Sequence, residues 1–437
     1  MQTYFFDLAT RLCAELTGDE VLTLSFSGED SDFVRFNQAR IRQAGRVNQA
    51  RIHLELIQGR RHVCLEDQLT EDLTQDFARL LGALRESRAL LPQLPEDPHL
   101  LYATEVKHSE QLDRRAAPDA QAITAEIIRA GTGLDLVGLL ASGRLQRGFA
   151  NSLGQRNWHE AVNFNFDWTC YAAGDKAVKA GYAGSEWRDE EFTRRLDSQR
   201  RDLEIMVRPP RSIPPGDYRA YLTPAALREI LEMMAWNGFG LKAHRTAETP
   251  LIRMVREGAR LSEQITLSED AATGLAPRFT DEGFMRPDRV VMIDQGVYRD
   301  CLVDPRSAME YGAQVTGDEY PQSIALAPGT LPAAKALDAL EQGLLINNLW
   351  YCNFSDHNHC RITGMTRFAC FWVEQGQIQA PVNVMRFDDS IYRMLGTELI
   401  ALTQEQELIL DNDTYEERST ASYRLPGALL KSMRFTL

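Results

Sequence analysis

The sequence has no run of about 18 consecutive apolar residues, so we predict no helix that crosses a membrane. Asp7 and Arg11 interrupt the first apolar stretch, MQTYFFDLATRLC, so the pattern does not predict a signal peptide. The seven cysteines are an odd number at wide spacing and form no disulfide framework. We therefore expect a cytoplasmic protein.

Basic charge is also scarce. The 437 residues include 48 Lys and Arg against 62 Asp and Glu, a net charge of −14. A partner held through phosphate groups requires a basic face, so we predict no nucleic-acid partner and no membrane partner. The motifs G-x-S-x-G, G-x-G-x-x-G and the P-loop are absent, which removes the usual signatures of serine-hydrolase, dinucleotide and nucleotide-hydrolase chemistry.

What the chain does contain is apolar patterning typical of an α+β fold. Residues 1–90 are predicted to form a helix, about four strands and a second helix, and residues 119–207 repeat that order. The predicted strands are 21–28, 33–41, 52–57 and 61–66, then 134–143, 143–152, 159–168 and 177–184. We predict an N-terminal domain, 1–210, that arose by duplication of a helix, antiparallel-strand and helix unit.

The segment RPPRSIPPG at 208–216 separates this domain from the rest, because no helix or central strand accommodates four prolines in nine residues. Residues 216–437 are predicted to form a β-rich C-terminal domain with one buried helix. We expect irregular chain at 245–287, a hairpin turning at 294–296 and a loop at 313–333. Strands at 343–387, a helix from 389 to 395 and short strands in the tail complete the prediction.

The buried helix is predicted from Pro224 to Gly240. Thr223 is a suitable N-cap, Pro224 suits the first helical position, and the glycines mark the end. Its residues are apolar nearly all round, except for a narrow stripe of Arg228, Glu229 and Glu232. Such a helix is expected in the core.

Three groups of His, Cys and Glu residues have spacings that suggest chemistry. His159-Glu160 begins like a zinc-peptidase motif, but no second His follows four or five residues later, and the alternating pattern predicts a strand. His62 and Cys64 share one face of a predicted strand, with no evident third group to orient them. A candidate metal site combines sulfur and imidazole ligands, namely Cys352, His357, His359 and Cys360.

Residues 361–390 carry a further combination of short motifs. They are a Gly–x–[ST]–Arg strand (Gly364, Thr366, Arg367), a Glu–x–Gly–x–Ile turn (Glu374, Gly376, Ile378), Pro381-Val382, and Arg386-Phe387 leading to Ser390. In this order they resemble the C-terminal signature of the TldD/PmbA (TldE) family, historically named modulator of DNA gyrase. The strand with Phe36-Asn37 and the turn at 151–154 are also similar, so the resemblance covers nearly the whole chain.

The resemblance implies a cytoplasmic, metallopeptidase-related protein. In that family, TldD and TldE form a heteromeric complex that degrades unfolded peptides and takes part in peptide maturation. A helix of TldD-type members carries H-E-x-x-x-H, which binds zinc, and a Cys near the C-terminus completes the site. The Glu would activate the zinc-bound water.

Aligned without gaps on that helix, this chain has Leu231, Glu232 and Trp236 in place of His, Glu and His, and no Cys follows Cys370. The resemblance therefore implies a zinc-less, TldE-like subunit with no catalytic residue, bound cofactor or metal of its own. Zinc would belong to a TldD-type partner subunit. An unfolded or extended peptide would bind along exposed strand edges by β-augmentation. Self-association of this chain into a homodimer is a further possible partner arrangement.

Two alternatives stay open. The chain could be a self-sufficient metallopeptidase with a non-standard metal site at Cys352, His357, His359 and Cys360. It could also be a non-proteolytic peptide-binding or scaffold protein. Zinc content, reconstitution with an H-E-x-x-x-H relative, and the presence of such a relative in the genome distinguish these functions.

Overall fold

The computed structural model describes residues 1–172, 174 and 176–436. The N-terminal part is mixed α+β. Its elements are α1 (Gln2–Cys13), β1 (Val21–Asn37), β2 (Arg40–Gln58), β3 (Arg61–Gln68), α2 (Leu73–Leu90), β4 (Ser109–Gln111), α3 (Ala120–Ala130), β5 (Asp135–Asn151), β6 (Arg156–Tyr171), β7 (Ala177–Gly184) and α4 (Asp189–Met206). Helix, three long strands and helix thus occur twice, the order from which we predict the duplication.

Seven strands form one sheet in the order β3-β2-β1-β5-β6, with β4 and β7 both paired to β6. The two repeats meet where β1 and β5 pair antiparallel, from Thr23 opposite Asn151 to Phe36 opposite Gly138. The prediction of about four short strands per repeat is wrong. The polar segment at 29–32 looks like a turn in the sequence, but β2 and β5 pair with it on both sides and hold it as continuous strand.

The sheet has one apolar and one polar face, as the two-residue period of a strand requires. Even-numbered residues of β1 such as Phe26 and Phe36 lie in the two apolar cores formed with the four helices. Odd-numbered residues, including Ser25 and Glu29, instead bond to the C-terminal part of the chain, at Asp281 and Arg418 respectively. The helices cover one face and the C-terminal domain covers the other.

The C-terminal part is rich in strands. Its elements are β8 (Gly216–Leu222), α5 (Pro224–Ala235), α6 (Leu241–Thr246), α7 (Ile252–Glu257), β9 (Leu267–Glu269), β10 (Val290–Asp294), β11 (Val297–Tyr298), α8 (Pro305–Tyr311), β12 (Ser323–Leu326), α9 (Ala336–Leu340), β13 (Gly343–Asp356), β14 (Arg361–Glu374), β15 (Gln377–Pro381), β16 (Arg386–Ser390), β17 (Leu399–Leu410) and β18 (Ser422–Phe435). Strands β8, β13, β14, β16 and β18 pair in a closed ring, because β18 also pairs with β8. Helix α5 packs against β13 and β18 within the main core.

The predicted α+β class and the hairpin at 294–296 are confirmed, and Gln295 and Gly296 both adopt the positive φ that such a turn needs. Several local predictions are wrong. The regions 245–287 and 313–333 contain α7, β9 and β12, and the tail strands β17 and β18 are long. The helix predicted at 389–395 is shifted by two residues, because β16 continues to Ser390 and the helical segment runs over 391–397, with a π-helical turn at Arg393–Thr397. Strands β9 and β12 pair with each other, and the sequence of neither short segment predicts this pairing.

Among the described residues, no helix is both long and apolar enough to span a bilayer.

Candidate functional site

Helix α5 begins as its sequence predicts and ends earlier. The Thr223 hydroxyl accepts a hydrogen bond from the Ala226 N–H at 3.3 Å, and Pro224 occupies the first helical position. The helix ends at Ala235, since Trp236 is extended and Asn237 has a φ of 60°. The predicted end at Gly238 to Gly240 is therefore wrong, and Trp236 lies outside the helix.

The three positions aligned with the zinc motif point in different directions. Leu231 is buried in the main C-terminal core at 1% exposure. Glu232 is half-buried, while Trp236 is 56% exposed and packs near Phe354, with ring centroids 6.1 Å apart. The structure does not bring these three side chains to one point.

The partly exposed stripe of α5 carries Arg228, Glu229 and Glu232, as its pattern predicts. The Arg228 guanidinium contacts Glu232 Oε1 at 2.6 Å and lies over the Tyr423 ring, 5.0 Å from its centroid. Burial is the main cause that raises the pKa of Glu229, and repulsion from the Glu232 carboxylate raises it further. Arg228 therefore neutralises the carboxylate of Glu232. The side chain of Glu229 lines the space beside the helix.

That space is a cleft between the two halves of the chain, which we call the interdomain cleft. On the N-terminal side it is lined by Asp167, Lys179 and Asp202, and on the C-terminal side by Arg228, Glu229 and Asn347. The part beside α5 has a volume of about 330 Å³. Burial raises the pKa of Asp202 on α4 to about 6, so both walls carry carboxyl groups that burial shifts toward the neutral form.

Two strand edges border the interdomain cleft. Within the described part of the chain, β7 pairs with β6 alone, and residues 407–410 of β17 pair with β18 alone. The outward carbonyl groups of Lys179 and Gly181 accept side-chain hydrogen bonds from Asn347 and Arg195 at 3.3 and 3.0 Å. The walls of the cleft therefore present backbone groups of β7 and β17 as well as side chains.

The segment 411–421 between β17 and β18 lines a neighbouring pocket that shares Asp167 and Lys179 with the cleft. The buried Arg418 guanidinium donates to Ser31 Oγ at 3.2 Å and to Asn163 Oδ1. The Arg418 backbone N–H donates to Glu29 Oε2 at 3.2 Å. Burial lowers the pKa of Arg418 to about 10. These bonds fix the segment to the polar face of the N-terminal sheet.

The second predicted metal site does not assemble. Within the described residues, which include all four, no three donor atoms of Cys352, His357, His359 and Cys360 lie within 4.8 Å of one another. The His359 ring bonds Asp356 at 2.8 Å, and the His357 ring packs on Phe354. Burial raises the pKa of both thiols to about 12.

The other two pairs considered from sequence have clear surroundings. His159 lies in β6, as the alternating pattern predicts, and its Nε2 donates to the Leu275 carbonyl oxygen at 3.0 Å. His62 on β3 has a partner that sequence reasoning missed, because Glu55 on the adjacent strand lies 2.6 Å from its Nδ1. Only the register of β2 against β3 reveals this neighbour.

A family model for the PmbA/TldA metallopeptidase C-terminal domain matches residues 215–437, just over half of the chain. The chain belongs to the TldD/PmbA family. No curated protein sequence matches it significantly.

Solved structures agree with the family's fold along the whole chain. A protein described as a modulator of DNA gyrase, from Thermotoga maritima MSB8, is 13% identical with a TM-score of 0.78, covering 99% of this chain and 100% of that one. TldE from Thermococcus kodakarensis is 14% identical with a TM-score of 0.76, at 99% and 100% coverage. A protein also described as a modulator of DNA gyrase, from Bacteroides thetaiotaomicron, is 15% identical with a TM-score of 0.73, at 99% and 98% coverage. At these identities the likeness shows a shared fold.

The family's description as a metallopeptidase raises the question of whether α5 can hold a metal. Zinc in proteins takes four ligands drawn from His, Cys and carboxylates, three of them from protein in catalytic sites. The stripe of α5 offers two carboxylates, one of which is ion-paired with Arg228, and no imidazole or thiol. This donor set does not fit a catalytic zinc site.

Proposed function

We propose that this chain is the TldE-like subunit of a two-subunit peptidase, in which a TldD-type partner holds the zinc. The observation that carries the proposal is the Arg228–Glu232 ion pair on the stripe of α5 that borders the cleft. The ion pair lies on the helix that corresponds to the zinc-binding helix of TldD-type relatives. In this proposal the positive charge beside the Glu232 carboxylate is the Arg228 side chain and not a metal ion. The chain then contributes binding rather than bond cleavage.

The substrate in this proposal is an unfolded or extended peptide. Two strand edges, β7 and residues 407–410 of β17, border the cleft and present backbone groups to it. A peptide that pairs with such an edge is read through its backbone, so it needs little side-chain specificity. Lys179, Asp167 and Arg195 add charges of both signs along the walls.

Reconstitution tests the subunit role. We expect the purified chain alone to leave an unstructured fluorogenic peptide intact, and a mixture with an H-E-x-x-x-H relative from the same genome to cleave it faster than the relative alone. A mixture no faster than the relative alone would contradict the proposal. Hydrolysis by the isolated chain would favour a self-sufficient peptidase.

A pair of variants at Ala183 tests the strand-edge mechanism. Alternation along β7 directs the backbone groups of 179, 181 and 183 away from β6, so Ala183→Pro removes an outward N–H and spares the β6 pairing. We expect peptide affinity of the reconstituted complex to fall about two- to twelvefold, the effect of losing one hydrogen bond. The matched control Ala183→Val keeps the N–H and should bind as the unsubstituted protein does. Equal binding by both variants would refute binding at this edge.

A further inference from the structure

Three side chains with metal-binding atoms meet on the β2–β3 hairpin of the N-terminal domain. Donor atoms of Glu55, His62 and Cys64 all lie within 4.8 Å of one another, and this is the one such group of three among the described residues. Glu55 lies directly opposite Cys64 in the antiparallel ladder, and His62 lies two residues before Cys64 on the same face. The hairpin backbone therefore fixes the position of all three.

A fourth residue, Asp97, lies near the second nitrogen of the histidine ring. While His62 Nδ1 is 2.6 Å from Glu55 Oε1, its Nε2 lies 3.7 Å from Asp97 Oδ2. Asp97 is itself held, because its carboxylate accepts hydrogen bonds from the His99 N–H and from the Arg306 side chain at 2.9 and 2.8 Å. A ligating imidazole in a metal site commonly directs its second nitrogen to a carboxylate in this way.

We propose that Glu55, His62 and Cys64 form a binding site for a zinc-class divalent metal ion, with Asp97 positioning the imidazole and solvent in the fourth coordination position. Carboxylate, imidazole and thiolate are the three ligand types that zinc takes in proteins. Bond lengths of about 2.0–2.3 Å in a tetrahedral site place ligand atoms roughly 3.3–3.8 Å apart. The donors thus need to move by about 1 Å, and the exposed Cys64 side chain is free to do so.

Binding is a coordination step without redox change. Cys64 releases its thiol proton to solvent. Neutral His62 loses its Nδ1 proton to solvent and takes one up on Nε2, which faces Asp97, so that Nδ1 and the Glu55 carboxylate exchange their mutual hydrogen bond for two bonds to the metal. The ion would connect edge strand β3 to β2 and, through Asp97 and Arg306, brace the contact with α8 of the C-terminal domain. This site is separate from the α5 stripe and differs from the expectation that the chain holds no metal.

Metal titration of the full chain tests the site. After removal of bound metal with a chelator, we expect one equivalent of Co²⁺ to produce a thiolate-to-cobalt charge-transfer band, and Zn²⁺ to displace it. Cys64→Ser should abolish the band, Asp97→Asn should weaken binding about 10- to 100-fold, and His62→Gln, which removes a ligand, should weaken binding more than Asp97→Asn does. The matched control Cys352→Ser removes a thiol of the other candidate cluster and should leave the titration unchanged.

Three outcomes would overturn the proposal: no charge-transfer band in the unsubstituted protein, an undiminished band in Cys64→Ser, or loss of the band in Cys352→Ser. Cys64 is exposed, so its serine variant is expected to fold, and a thermal melt verifies this. The result is independent of peptide hydrolysis by the reconstituted complex, so each proposal can fail without the other.

Discussion

Restoring the two imidazoles at the aligned positions of α5 should destabilise the protein without creating a zinc site. In the double variant Leu231→His/Trp236→His, one imidazole enters the apolar core, where Leu231 is 1% exposed, and the other stays at a surface position beyond the helix end. The lost burial of leucine costs about 1.5–3 kcal/mol. An imidazole buried without partners adds about 1–3 kcal/mol.

The expected total is about 2.5–6 kcal/mol, which lowers Tm by roughly 5–12 °C at about 2 °C per kcal/mol for a unit of this size. Calorimetry measures the shift, and elemental analysis should find no zinc beyond that of the unsubstituted protein. As controls, Leu231→Met should cost less than about 1.5 kcal/mol, and Trp236→His alone less than about 0.5 kcal/mol. One additional equivalent of zinc together with an unshifted Tm would refute the placement of Leu231 in the core.

Two further predictions concern buried ionisable groups. Arg418→Met should cost about 1–3 kcal/mol because it leaves the buried Ser31 Oγ and Asn163 Oδ1 without their guanidinium donor and removes a positive charge that attracts the buried Glu29 carboxylate; adding Glu29→Gln should recover part of this loss in denaturant unfolding, and strictly additive costs would contradict the coupling. Burial lowers the pKa of His159 to about 4 from 6.5, so the unfolded chain binds the extra proton first. The contribution of His159 to stability should therefore be complete above pH 6.5 and fall by about 2 kcal/mol between pH 8 and pH 5, measured as the difference between the unsubstituted protein and His159→Gln; the same pH dependence in both proteins would contradict the prediction.

Much of the fold can be read from local patterns. Each N-terminal repeat begins and ends with a helix, as periodicity predicts, and α5 begins at Pro224, as its cap predicts. The turns at 294–296 and 374–376 follow from their Gln-Gly pairs. Errors occur where a segment depends on distant partners. The polar stretch at 29–32 is strand because β2 and β5 enclose it, and the four-residue β12 exists through its pairing with β9 and β18.

The candidate site was only partly predictable for the same reason. The polar stripe of α5 follows from helical periodicity. The sequence also shows directly that Leu231 and Trp236 stand where the zinc motif has histidines. The early end of the helix at Ala235 depends on the backbone of Trp236 and Asn237, and this end removes Trp236 from the helix. Glu55 beside His62 is likewise visible only through strand register.

The sequence by itself determines the α+β class, the family signature and the residue types that α5 can offer, because these depend on composition and on periods of two or 3.6 residues. Only the tertiary structure decides what those residues face. It buries Leu231, pairs Arg228 with Glu232 and places β7 opposite β17 across the cleft. The physical reason is that burial, ion pairing and strand register depend on segments far apart in the chain, whose approach no local pattern records.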